Sequence, residues 1–153
     1  YNFRLTNIQA AMGVAQVELI QEFLDAKQTI ARKYTAALRG VKGITSMPAQ
    51  PDTDPSYWLY TMLLPEGTTL EERKGFIQTL NRHGIGSRPL WHPVHALPPY
   101  YDCESYHVET AMGLYNRGVT LPSSAGLTDH DQQRSIDLLK QMLQQGEFGV
   151  LSG

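Results

Sequence analysis

Tyr57-Trp58-Leu59-Tyr60-Thr61-Met62-Leu63-Leu64 is an aromatic and apolar run held between Pro55 and Pro65. Its length and its β-forming residues favour a buried strand over a helix. Thr69-Leu70-Glu71-Glu72 follows with capping-box spacing, a Thr hydroxyl and a Glu carboxylate three residues apart. It opens a helix that turns Leu70, Phe76, Ile77 and Leu80 inward and ends at Gly84. Residues 85–91 then return as a strand. Downstream, 108–117 has the pattern of a short helix and 119–121 that of a short strand. Thr128, with Asp131 three residues on, caps a final helix through about Gln145, and Gly146 onward reads as a tail. Strands alternating with helices in so short a chain predict an α+β fold, a small sheet with helices on one face.

Upstream the pattern differs. Ile8, Met12, Ala15, Leu19, Phe23, Ala26, Ile30, Tyr34 and Ala37 recur at steps of three and four, the period of a helix. Thr6 and Gln9 have capping-box spacing, and Gly40 stands where a glycine ends a helix. Residues 8–20 carry few polar groups on any face, so this half is expected to be covered on more than one side. Three units follow: a long helix over 1–40, a small domain over 41–146 and a tail over 147–153. Residues 47–56, with three prolines and two aspartates, read as a surface loop. There is no internal repeat and no low-complexity segment.

The 153 residues are 41% hydrophobic and 18% charged, with a formal net charge of −2. That is enough apolar material for a core, and the charge balance argues against nucleic acid or an acidic membrane as the main partner. Residues 57–64 are too short to span a bilayer. Cys103 stands alone, so no internal disulfide forms and a reducing compartment, the cytoplasm, is the expectation. The chain begins Tyr1-Asn2-Phe3-Arg4, with no basic-then-apolar leader, as if entered in the middle.

Chemistry-bearing side chains concentrate in residues 87–101, Ser-Arg-Pro-Leu-Trp-His-Pro-Val-His-Ala-Leu-Pro-Pro-Tyr-Tyr. Arg88 can grip a phosphate or carboxylate, Trp91 and Tyr100 offer flat faces for a sugar or base, and His95 can move a proton near neutral pH. The bland alternative is a surface loop whose aromatics fill a local core. Zinc is disfavoured: His92, His95, Cys103 and His107 lack helical or Cys-x-x-Cys spacing. Cys103 sits between Asp102 and Glu104, which disfavours a thiolate. Asp52 and Asp54 read as solvated loop carboxylates. Lys27, Lys33, Lys42, Lys74 and Lys140 lie on expected helix surfaces or a loop, none in an apolar pocket suited to Schiff-base chemistry. The residues therefore define a binding surface without a covalent engine.

Residues 1–13, Tyr-Asn-Phe-Arg-Leu-Thr-Asn-Ile-Gln-Ala-Ala-Met-Gly, resemble the opening signature of the DegT/DnrJ/EryC1/StrS family. These are pyridoxal-phosphate-dependent aminotransferases that act on nucleotide-linked keto-sugars. Arg32-Lys33-Tyr34, the loop from Arg88 to Tyr100, and Leu121-Pro122-Ser123-Ser124 with Leu127-Thr128 and Asp131-Gln132 are similar to later family blocks in the same order. The resemblance implies the C-terminal domain of a fold-type I enzyme: a long helix, then a small, mainly antiparallel sheet. It implies that Asn2 contacts the cofactor phosphate of a neighbouring subunit in a homodimer. His95, flanked by Arg88, Trp91 and Tyr100, then lies near the sugar. Gln9 satisfies its capping box and is left out of the site. The family's Schiff-base lysine lies upstream of the opening block, so this chain is expected to be inactive alone. For the whole enzyme the resemblance implies glutamate as amino donor and a UDP- or dTDP-linked 4-keto sugar. Two alternatives stand beside it: a binding or regulatory domain without catalysis, and a family member that has lost transamination.

Overall fold

The computed structural model describes residues 4–145. Both capping boxes form as the sequence dictates. Thr6 accepts from the Gln9 N–H at 3.3 Å while the Gln9 side chain accepts the Thr6 N–H at 2.9 Å. Thr69 and Glu72 repeat the exchange at 3.2 and 2.7 Å, and the Thr69 N–H and hydroxyl, both donating to the Glu72 carboxyl, hold it below its usual range. The elements are α1 (Asn7–Glu18), α2 (Ile20–Leu38), β1 (Thr45–Ser46), β2 (Tyr60–Leu63), α3 (Leu70–Arg82), β3 (Arg88–Pro89), α4 (Glu109–Arg117), β4 (Gly118–Leu121) and α5 (Asp129–Gln145). Gly40 and Gly84 carry the positive φ, +80° and +76°, that stops α2 and α3. The single long helix expected at the start is interrupted at Leu19 (φ −100°, ψ 5°) and becomes α1 and α2.

The sheet runs β1-β2-β4-β3 and is antiparallel at every pairing. Tyr60 opposes Leu121 and Met62 opposes Val119, so these four share one face. That face meets Ile30, Tyr34 and Leu38 of α2, Phe76 and Leu80 of α3, and Ile136 and Leu139 of α5 in the buried core. Thr61 opposes Thr120, and Arg88 opposes Thr120 from the other side, which sets these residues on the face away from the helices.

Two strands are shorter than their sequence pattern. Of 57–64 only Tyr60–Leu63 is laddered, because Tyr57 adopts a left-handed φ of +45° and turns the chain before Tyr60. Of 85–91 only Arg88–Pro89 is laddered. Asn81 satisfies the Ser87 backbone in place of a ladder, accepting its N–H at 2.8 Å and donating to its carbonyl at 3.3 Å. Pro89 has no N–H to give. The two-residue β1 was not foreseen.

Tyr34 sits at the middle of the core, its ring stacked 5.0 Å from Tyr60 and its hydroxyl donating to the Pro122 carbonyl at 3.0 Å. Burial, with Tyr60 adding, outweighs a hydrogen bond with Ser135 and pushes the phenol from 10.0 up to about 12. The native state thus keeps a proton that the unfolded chain loses above its ordinary value. Stability is whole below pH 10 and falls as pH rises toward 12, by about 2 kcal/mol from this group. Urea unfolding at several pH values across this range should show that decline, and Tyr34→Phe should flatten it.

α1 buries no residue among those described. Ile8, Met12, Val14 and Val17 are all exposed, so the cover expected for this helix is not supplied by the described residues. No helix among those residues is long and apolar enough to cross a membrane.

Candidate functional site

The loop that leaves β3 is built from two 3-10 turns, Val94–Ala96 and Pro98–Tyr100, closed by N–H donation from Leu97 to Val94 and from Tyr100 to Leu97. Prolines on this stretch remove donors and fix φ, which holds the loop away from the sheet ladder. Its anchor to the core is a ring contact: His92 packs tilted at 4.8 Å from the Tyr115 ring, and the Arg73 guanidinium lies 4.6 Å from that same ring.

The structure divides the expected site residues between two concavities on this loop. His95 and Tyr100 line one of about 480 Å³, with Pro93, Val94, Tyr106 and Val108. Arg88 and Trp91 line another of about 400 Å³, together with Trp58, Leu59, Leu90 and Thr120. Asn2 lies outside the described residues. The geometry brings together Arg88 with Trp91, and His95 with Tyr100, but not all four in one pocket.

Trp58 was missed by sequence reasoning. Strand alternation would bury it beside Tyr60 and Met62, whereas the left-handed Tyr57 leaves it exposed on the other side. Of the side chains weighed for zinc, His92 is engaged with Tyr115 and His107 meets Tyr106 edge-on at 4.0 Å. Cys103 is exposed.

The lysines need one correction. Lys27 is not an ordinary surface amine: its ammonium donates to the Trp58 carbonyl at 2.7 Å and the Ser123 carbonyl at 2.5 Å, and burial lowers its pKa. Both bonds tie it to backbone, so it serves as a clamp. Lys33 pairs with Asp129 and Lys74 with Glu71. Lys42 and Lys140 line a separate concavity beside α5. No lysine lines either site cavity, so the described residues alone do not provide the amine that pyridoxal phosphate requires. What they offer is a guanidinium for an anion, flat rings for stacking and an imidazole for a proton.

The described residues thus form a small α+β domain that presents such a loop at the open end of its sheet. The model of the DegT/DnrJ/EryC1/StrS aminotransferase family matches residues 1–140, and the chain belongs to that family. It is 37% identical over 144 residues to a GDP-perosamine synthase of Caulobacter vibrioides, covering 94% of this chain and 38% of the relative. A GDP-perosamine synthase of Vibrio cholerae is 38% identical over 140 residues, 89% of this chain and 36% of the relative. Among solved structures, Spr1654 of Streptococcus pneumoniae in a PLP form superposes with a TM-score of 0.82 at 26% identity, over 93% of this chain and 36% of that one. The chain therefore spans little more than a third of the length of these relatives.

Proposed function

We propose that this chain is the C-terminal part of a sugar aminotransferase that uses pyridoxal phosphate to convert a nucleotide-linked keto-sugar to an amino-sugar. The observation that carries the reading is the family match over residues 1–140, combined with a loop that turns Arg88, Trp91, His95 and Tyr100 outward and holds no lysine. In it, α1 and α2 connect to the cofactor-bearing part, the small domain over 41–146 forms the substrate wall, and the tail over 147–153 lies outside the described residues. The exposed apolar side chains of α1 support a homodimer in which this helix is covered, with Asn2 reaching the partner's cofactor phosphate. The solitary Cys103 supports a cytoplasmic setting.

The 4-keto position stays the expected site of amination and glutamate the expected donor. The UDP- or dTDP-linked expectation now gives first place to a GDP-linked sugar, since the relatives from Caulobacter and Vibrio are named for GDP-perosamine. The test is to assay the parent protein with glutamate against GDP-, UDP- and dTDP-linked 4-keto sugars. Turnover with one of them and none by this chain alone is the expected result. Activity of this chain alone, or binding of pyridoxal phosphate without turnover of any of these sugars, refutes the reading.

A further inference from the structure

The prolines of the site loop stiffen it from within, but they do not set where it stands relative to the sheet. Two contacts with the end of α4 do that. Leu90 packs over Gly118, where an added Cβ would overlap its side chain, so the glycine lets the loop begin close against β4. Three residues earlier, the Tyr115 ring meets the His92 ring at 4.8 Å with a tilt of 58°. His92 carries this contact onward. Its Nδ1 lies 3.3 Å from the Pro93 carbonyl oxygen, a hydrogen bond in the tautomer that holds its proton there. The same oxygen accepts the Ala96 N–H at 3.0 Å and so closes the turn Val94–Ala96. His95 stands in the middle of that turn. Ring contact and hydrogen bonds thus lead from Tyr115 to the backbone that carries His95.

Tyr115 is itself held from beneath. Arg73 is buried in α3, with no carboxylate paired to it among the described residues and no acceptor for its Nε. A guanidinium compensated so sparsely destabilises the core around it, and a position that only needed filling would be better served by an uncharged side chain. The two contacts that this charge makes converge on one residue. It donates to the Tyr115 carbonyl, one of the last four of α4 and so without a partner in the helix, and it covers the Tyr115 ring at 4.6 Å. Arg73 therefore fixes Tyr115 through main chain and side chain together.

We infer that Tyr115 is a positioning residue for His95: clamped by Arg73, its ring seats His92 and thereby fixes the turn that presents His95 to the substrate. The inference rests on the reading of the parent protein as a sugar aminotransferase with His95 near the keto-sugar. Tyr115 lines neither site cavity, so it acts through His92 and not on the substrate directly.

The experiment compares the parent protein with Y115F, Y115L, H95A and the Y115L/H95A double variant. Keto-sugar turnover and amide hydrogen exchange over residues 92–100 are measured for each, with a melting curve and the absorbance of bound pyridoxal phosphate. Y115L keeps an apolar side chain but loses the flat ring. It should lower kcat by about fivefold and speed exchange in the loop, with melting temperature and absorbance retained. Y115F keeps both ring contacts and should retain most of the turnover. In the H95A background Y115L should lower kcat no further, because the residue it positions is already gone. Losses that multiply in the double variant overturn the inference, as does a Y115L loss that Y115F shares in full. A loss that follows a lowered melting temperature in step overturns it too and makes Tyr115 a packing residue. If the parent protein turns over no keto-sugar, the aminotransferase reading falls and exchange alone decides. Faster exchange in Y115L than in Y115F then keeps Tyr115 as the seat of the turn, and equal rates overturn it. Turnover that is undiminished in Y115L overturns the positioning role and leaves the aminotransferase reading standing.

Discussion

Arg73→Ala lowers the unfolding free energy by about 3 kcal/mol, through a lost buried hydrogen bond and the cavity left by a long side chain. Arg73 is buried in α3, yet it is not neutralised by a carboxylate among the described residues. Its guanidinium donates to the Tyr115 carbonyl and covers the Tyr115 ring, and its Nε finds no acceptor there. A buried charge so sparsely compensated is expensive to keep, so its hydrocarbon stem and its carbonyl bond carry the net benefit. Arg73→Met retains the stem and sheds the charge, and should cost roughly half as much as the alanine substitution. Chemical denaturation of both variants checks the order; methionine as damaging as alanine would place the benefit in the charge itself. Because Tyr115 also packs against His92, the alanine variant should speed amide hydrogen exchange in residues 92–100 as well.

His95→Ala in the parent protein is expected to reduce turnover by about tenfold, the scale of one lost hydrogen bond to a substrate near the sugar. His95 is half-buried in a 3-10 turn and makes no hydrogen bond to another described residue, so the fold has little to lose. Melting temperature and the visible absorbance of bound pyridoxal phosphate should stay as they are while kcat falls. A kcat within a factor of about two of the unsubstituted protein would take His95 out of the site.

The features legible in the sequence are those set by neighbours a few residues away. Thr6 with Gln9, Thr69 with Glu72 and Thr128 with Asp131 announce helix starts because each bond closes within one turn. Gly40 and Gly84 announce ends for the same reason. Strands were read less well, since their limits depend on partners distant in the chain. Asn81 takes over the backbone of Ser87, and no pattern within 85–91 reveals that. The site follows the same division. Arg88, Trp91, His95 and Tyr100 were found by residue type in a proline-rich loop, but their separation into two cavities depends on β4 and on Trp58. Trp58 was hidden by the turn at Tyr57. The clamp at Lys27 was hidden because its carbonyl partners come from Trp58 and Ser123, far along the chain.

β4 lies between β2 and β3 in the sheet although it is the last strand in sequence. On the ribosome, β2 and β3 emerge before the strand that joins them, so β2 must wait with one edge unmatched and β3 with no strand partner. Closing the sheet then brings Tyr60–Leu63 to Gly118–Leu121 across α3, β3, the site loop and α4, a non-local step that pays its loop entropy before the ladder returns it. The site loop lies inside that closure. Its placement is therefore among the later events of assembly, completed only once Leu90 can settle over Gly118.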